Sequence, residues 1–341
     1  MKNAAIILIV AVIVSVAVAL IGLVMGAGSS LAGSNAGILR SDNGGASWTV
    51  LSEIYKSEIE TIVFGIDGNM YVGTRRDGLW WLDHLSGKWR QATSFYLGKG
   101  ARVFDVVASY NDIVAAVFSE GRGRVVRLSN VTEKELYFTP LAQYAVFGAA
   151  KDLANDNILR IISTDGGFYE SLDDGVSWRS VYRFDQGLVQ LIADKNISGK
   201  YWVVTANGDI YRTIDAGRSW KDVSGELSKY SRGDEIETAV SDTRSGALYL
   251  GTGYGLLRSY DGGDTWQAVP LTIPPEVLPV TAVAIDPKNS DTIFAAAKNQ
   301  IYVSYDRGES WRGSILPTKR VAAVVAVDPE NSNNVFIGLR R

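Results

Sequence analysis

The chain has 341 residues, 34 of them basic and 37 acidic, for a formal net charge of −3, with one histidine and no cysteine. This balance excludes the strongly basic domain of a nucleic-acid partner. The missing cysteine excludes disulfides, thiolate metal sites, a thiol nucleophile and a lipidated cysteine, while leaving the compartment open.

The first element is apolar. From Ala4 to Ala27 the chain carries no charge and is broken only by Ser15. As a helix this stretch spans roughly 36 Å, enough to cross a hydrocarbon core of about 30 Å. It is longer than the apolar core of about 7–15 residues typical of a cleaved signal. Lys2 is the only charge before Arg40, which places the N-terminus in the cytoplasm. Residues 1–27 therefore read as one transmembrane anchor, with a signal segment cleaved near Gly26-Ala27-Gly28 and a secreted product as the alternative. Residues 28–36 read as a flexible Gly/Ser-rich linker, and residues 37–341 as the folded part, outside the membrane.

That folded part repeats. Five segments share one frame, Ser/Thr-x-Asp/Asn-x-Gly-x-Ser/Thr-Trp: SDNGGASW (41–48), SLDDGVSW (171–178), TIDAGRSW (213–220), SYDGGDTW (259–266) and SYDRGESW (304–311). The last four tryptophans step by roughly 42–46 residues, and Trp48 lies about three steps before Trp178. Two eroded copies fill the gap, one ending at Trp89 and one near Tyr137 or Phe138. EIETIV (58–63) and EIETAV (235–240) are a second echo, giving seven units.

Each unit reads as four short strands. In the last full one, an apolar run from Val280 is followed by the turn DPKNSD, a second run TIFAAA, a break at Asn299-Gln300, the strand IYVSY, the box and SWRGSIL. Four strands in a period in the forties predict an all-β, seven-bladed β-propeller. The folded part opens with only strands three and four of a blade, GILRSDNGGASWTVLS. It ends with only strands one and two, VAAVVAVDPENSNNVFIGL. Joined, the two ends make one interlocked blade and close the ring, which removes exposed sheet edges.

The box itself is a hairpin between strands three and four. Asn43, Asp173, Asp215, Asp261 and Asp306 shape it by accepting backbone N–H groups a few residues on. Gly45, Gly175, Gly217, Gly263 and Gly308 are expected at φ > 0. Trp48, Trp178, Trp220, Trp266 and Trp311 are expected to pack against their own blade and the next. Occurrence in nearly every blade marks these residues as scaffold.

The five segments resemble the Asp-box (BNR) repeats of sialidases, sortilin-type receptors, xyloglucanases and the photosystem II assembly-factor family. The resemblance implies the propeller fold in enzymes and non-enzymes alike. The Arg-Ile-Pro motif of sialidases is absent, as are the second propeller of xyloglucanases and the ten blades of sortilin-type receptors. A single seven-bladed ring is the arrangement of the assembly-factor family, which implies a binding scaffold.

No catalytic residue, metal site or cofactor is assigned. His84 sits in a degraded box turn and reads as an ordinary loop residue. Glu58, Glu60, Glu235 and Glu237 begin the inner strands of two units and read as solvated acids, with glycosidic chemistry as the lesser alternative. The face opposite the boxes, made by loops four-to-one and two-to-three, is the expected binding face. It carries Tyr55, Lys56, Phe95, Tyr182, Arg183, Lys229, Lys319 and Arg320. Its candidate binding set is Arg75, Arg76, Lys99, Arg102, Arg122 and Arg124 with Tyr96, Tyr230 and Arg232, matched to an acidic segment or a glycan carboxylate. Val223–Glu235 and Val269–Val280 are its long loops. Asn130-Val-Thr and Asn196-Ile-Ser are sequons, which read as chance triplets in turns. The expected function is an extracytoplasmic, membrane-anchored scaffold for another membrane or envelope protein, or a receptor for a surface glycan. A sialidase-like glycoside hydrolase and a surface-layer or filament component are the alternatives.

Overall fold

The computed structural model describes residues 36–51, 54, 56–109, 112–129 and 132–341. The strands form seven four-stranded antiparallel sheets. Blade 1 is the interlocked one: its inner strands Val321–Val327 and Val335–Arg340 are completed by Ile38–Ser41 and Thr49–Leu51. The closing register runs Ile38 opposite Gly338 to Ser41 opposite Val335. The two ends of the folded chain thus share one sheet, as the repeat arithmetic requires.

Blades 2 to 7 follow in chain order. Their innermost strands are Ile59–Phe64, Arg102–Ala108, Val146–Lys151, Leu188–Ala193, Ile236–Ser241 and Ala282–Asp286. Each touches its neighbours in the ring, and the strand of blade 1 touches those of blades 7 and 2. A channel runs down the middle. Between the blades lie apolar clusters built from facing sheets, with Trp202, Tyr249, Phe168 and Phe294 fully buried.

The inner strands of blades 1 to 6 slip register by one residue near their start, at Ala323, Glu60, Phe104, Phe147, Val189 and Glu237. Such a bulge bends the strand and re-aims the extra side chain. All except Ala323, a single methyl, place a substantial side chain at one end of the channel, called here the mouth. The echo of 58–63 in 235–240 is this same bulge occurring twice.

No helix among the described residues is long and apolar enough to cross a membrane. The anchor expected over residues 1–27, the linker up to residue 35, Tyr55 and Asn130 lie outside the described residues.

Candidate functional site

The boxes close on themselves in one pattern. In blade 5 the Thr213 hydroxyl donates to Asp215 Oδ1 at 2.8 Å and accepts the Gly217 N–H at 3.0 Å. Asp215 then accepts the Ser219 N–H at 2.9 Å and the Ser219 hydroxyl at 2.6 Å. The other three aspartate boxes repeat this, and in blade 1 Asn43 Oδ1 accepts the Ser47 N–H while its Nδ2 donates to the Ser47 hydroxyl at 2.8 Å. These bonds have an electrostatic consequence. The hydroxyls of Ser177, Ser219 and Ser310 hold Asp173, Asp215 and Asp306 down at about 2. In Asp261 burial pulls upward and the Thr265 hydrogen bonds outweigh it, again giving about 2.

The five box glycines sit at φ between 83° and 103°, as expected. The residue before each is also left-handed: Gly44, Asp174, Ala216, Gly262 and Arg307. The sequence frame left that position open. The tryptophans correct a second expectation, because they pack on the preceding blade and not on the next. Trp178 Nε1 donates to the Leu136 carbonyl of blade 3 at 2.9 Å, and Trp220 packs edge-on to Phe168 of blade 4 at 5.2 Å. The glycines face the same way: a Cβ on Gly217 would stand 2.4 Å from the Phe168 ring, and one on Gly308 2.4 Å from Val269. Each box is therefore a staple to the blade behind it.

The eroded units keep the staple by other means. Trp89 sits opposite Leu82 and packs with Ile38 and Phe336 of blade 1. In blade 3 the register position of the tryptophan, opposite Leu128, belongs to Glu133 and not to Tyr137 or Phe138. Glu133 accepts the N–H groups of Phe95 and Tyr96 from blade 2, each at 3.1 Å. His84 lies in the exposed turn of blade 2, and Asn196 in an exposed turn of blade 5, both on the box face.

The mouth is the concave site. Its cavity, about 480 Å³, is walled by Ile62, Val189, Leu191 and Val240 with the stacked rings of Phe104 and Phe147, 4.2 Å apart. Three carboxylates reach its rim and each meets a guanidinium. Glu58 meets Arg75 at 3.4 Å, Glu60 meets Arg102 at 2.8 Å, and Glu237 meets Arg340 at 2.9 Å. Arg102 also lies over the Phe104 ring at 4.4 Å. Deeper in, Asp105 lines the lumen but is enclosed by protein, and that burial pushes it up to about 6. It accepts the N–H of Val106 at 2.9 Å and of Ala149 in the next blade at 3.1 Å.

The candidate binding residues share this face but are not equivalent. Arg75 and Arg102 enter the mouth and are paired there. Arg124 is paired with Glu135 and covers the Tyr96 ring at 4.6 Å, while Arg122 covers Phe138 at 5.2 Å. Arg232 is held by Glu235 at 2.6 Å and Lys229 by Glu226. Tyr230 is a packing residue: it meets Tyr254 edge-on and donates to the Trp266 carbonyl at 2.7 Å. Arg320, expected among the exposed loop residues, is buried and donates to the carbonyls of Ala36 and Ser57. Arg76 and Lys99 stand exposed. Phe104, Phe147, Asp105 and Arg340 were not picked out from the sequence. Their signal was position alone, at the ends of inner strands.

The family model described as photosynthesis system II assembly factor YCF48 matches residues 199–334. No curated protein matches the chain in sequence. Among solved structures, the GH74 xyloglucanase from Xanthomonas campestris is 18% identical with a TM-score of 0.66, the match covering 83% of this chain and 51% of that one. This chain therefore spans about half the length of that enzyme. YCF48 bound to D1 peptide is 12% identical with a TM-score of 0.65, covering 84% of this chain and 94% of that one. YCF48 from Cyanidioschyzon merolae is 12% identical with a TM-score of 0.62, covering 83% and 95%. These likenesses agree with the blade count and the closed ring: the chain is a seven-bladed propeller of Asp-box (BNR) type, similar to the photosynthesis system II assembly factor YCF48 over residues 199–334.

Proposed function

We propose that the chain is a binding scaffold, tethered outside a membrane by residues 1–27, whose mouth face takes a segment of another membrane or envelope protein. The observation that carries this reading is the mouth itself. It joins apolar walls and stacked rings to partly exposed charged side chains that pair within and across blades, which is the composition of a protein-recognition site. The YCF48 structure with a bound D1 peptide supports a polypeptide ligand for a ring of this kind. A glycan receptor uses the same face and is the other outcome of the test.

Glycosidic chemistry needs two carboxyl groups in different protonation states flanking a bond. At this mouth Glu58, Glu60 and Glu237 each engage an arginine, an arrangement that suits holding a ligand. The test is a photo-cross-linking side chain at Arg76 or Lys99, followed by capture from solubilised membranes. One cross-linked membrane protein supports the scaffold. Cross-links to copies of the chain alone favour the surface-layer reading, and turnover of sialosides or xyloglucan favours the hydrolase.

A further inference from the structure

Resting on the anchored-scaffold reading above, we propose that the mouth face lies against the headgroups of an anionic phospholipid bilayer while the box face points away from it. The junction with the preceding chain comes first. Strand Ile38–Ser41 runs from the mouth face to its box, so Ala36 and Gly37 lie at the mouth end. They are fastened there: the buried Arg320 donates to the carbonyls of Ala36 and Ser57, and a Cβ on Gly37 would stand 2.0 Å from the Ile54 carbonyl oxygen. The chain before Ala36 therefore leaves from this face. The part of the linker before Ala36, residues 28–35, reaches at most roughly 28 Å when fully extended, which keeps the mouth face near the interface where an anchor ends.

The mouth face also offers cations to an anionic surface. Arg76, Lys99 and Lys319 are exposed on mouth loops and have no ion-pair partner among the described residues. Beside them stand apolar tips: Phe95, 69% exposed, Phe138 beneath the Arg122 guanidinium, Leu141 and Ile315. Cations next to apolar and aromatic tips suit the headgroup region, where an apolar body and a polar end are both accommodated.

The box face is also partly apolar, through Leu172, Ile214, Tyr260 and Tyr305. Each of these directly precedes a box carboxylate, Asp173, Asp215, Asp261 or Asp306, ionised down to a pH of about 2. Lipid contact there would desolvate a row of fixed negative charges against a negative surface. Exposed cations such as Lys88, Lys195, Arg218 and Arg244 stand on the box face too, so the junction at Ala36 is what selects the mouth face, and the box carboxylates oppose the reverse orientation.

The cysteine-free chain allows single reporters. Leu141→Cys on the mouth face and Ile214→Cys on the box face each receive a fluorophore, and the full chain is reconstituted in phosphatidylcholine discs with and without phosphatidylglycerol. Headgroup-attached nitroxide lipids should quench the reporter at Leu141 at least about threefold more than the one at Ile214 in anionic discs. The difference should shrink in neutral discs, in high salt and in the R76E/K99E/K319E variant. Equal quenching, or stronger quenching at Ile214, overturns the proposal. Carbonate extraction is run in parallel. Release of the chain from vesicles defeats the anchor, and the same reporters mixed with phosphatidylglycerol vesicles then still score which face binds.

Discussion

Arg340 and Glu237 are joined at 2.9 Å although blade 7 stands between the blades that carry them. The bond crosses the rim of the mouth, and Arg341 lies 3.9 Å from Glu58 of blade 2. Both partners are partly exposed, so their attraction is screened and is worth no more than about 1 kcal/mol. Arg340→Ala should leave the unfolding midpoint nearly unchanged. It should speed thiol labelling of a Val189→Cys reporter inside the cavity severalfold. An unchanged labelling rate would show that the crossing bond does not cover the mouth.

Two glycines in equivalent box hairpins should respond differently to alanine. Gly44 is at φ 66° with no atom nearer than 3.8 Å to an added Cβ, so Gly44→Ala meets backbone strain alone, about 1 kcal/mol. Gly217 is at φ 89° and a Cβ there would meet the Phe168 ring at 2.4 Å. Strain and overpacking together should cost about 2–4 kcal/mol. Urea unfolding of the two variants separates the conformational part from the staple, and equal losses would refute the staple.

Acid stability should show two limbs of opposite sign. The box carboxylates Asp173, Asp215, Asp261 and Asp306 lie at about 2, below the ordinary 3.8. Their contribution is full above about pH 4 and is lost as pH falls toward 2. Asp105 is raised to about 6. Between pH 6 and 4 the folded state holds its proton more tightly than the unfolded chain does, so this group makes the fold more stable as pH falls through that window. The difference in urea midpoint between the native chain and Asp105→Asn should change between pH 7 and 4 and level off below. A flat difference would place Asp105 at its ordinary value.

Blade 4 buries an ion network. Arg160 donates to Asp152 at 2.8 Å, to Glu170 at 2.7 Å and to the Tyr201 hydroxyl of blade 5 at 2.8 Å. Arg160, Asp152 and Glu170 are each at most 5% exposed. Arg160→Ala removes the buried cation and leaves Glu170 with Arg179 and Asp152 with the Ser198 hydroxyl and the Ala154 N–H, and should cost about 3 kcal/mol. Replacing all three by apolar residues of similar volume should recover most of that loss. Failure of the triple variant to recover would mean that the network supplies more than charge compensation.

The ring, its seven blades, its closure and its box hairpins were legible in the sequence because their causes are local. A box is eight residues that satisfy one another, as Asp215 does with Thr213, Gly217 and Ser219. The repeat distance then counts the blades, and the two half-blades demand each other because an open edge is costly. What only the tertiary structure decided acts between different strands and mostly between different blades. The boxes grip the blade behind them, Glu133 takes the place of a tryptophan by binding backbone N–H groups of blade 2, and Arg75 and Arg102 are paired while Arg76 and Lys99 have no ion-pair partner among the described residues. Arg320 looked like a loop cation and is a buried clamp. The bulges at Glu60, Phe104, Phe147 and Glu237 set what the channel presents. A one-residue slip turns a side chain from one face of a strand to the other, and nothing within the strand itself says where the slip occurs.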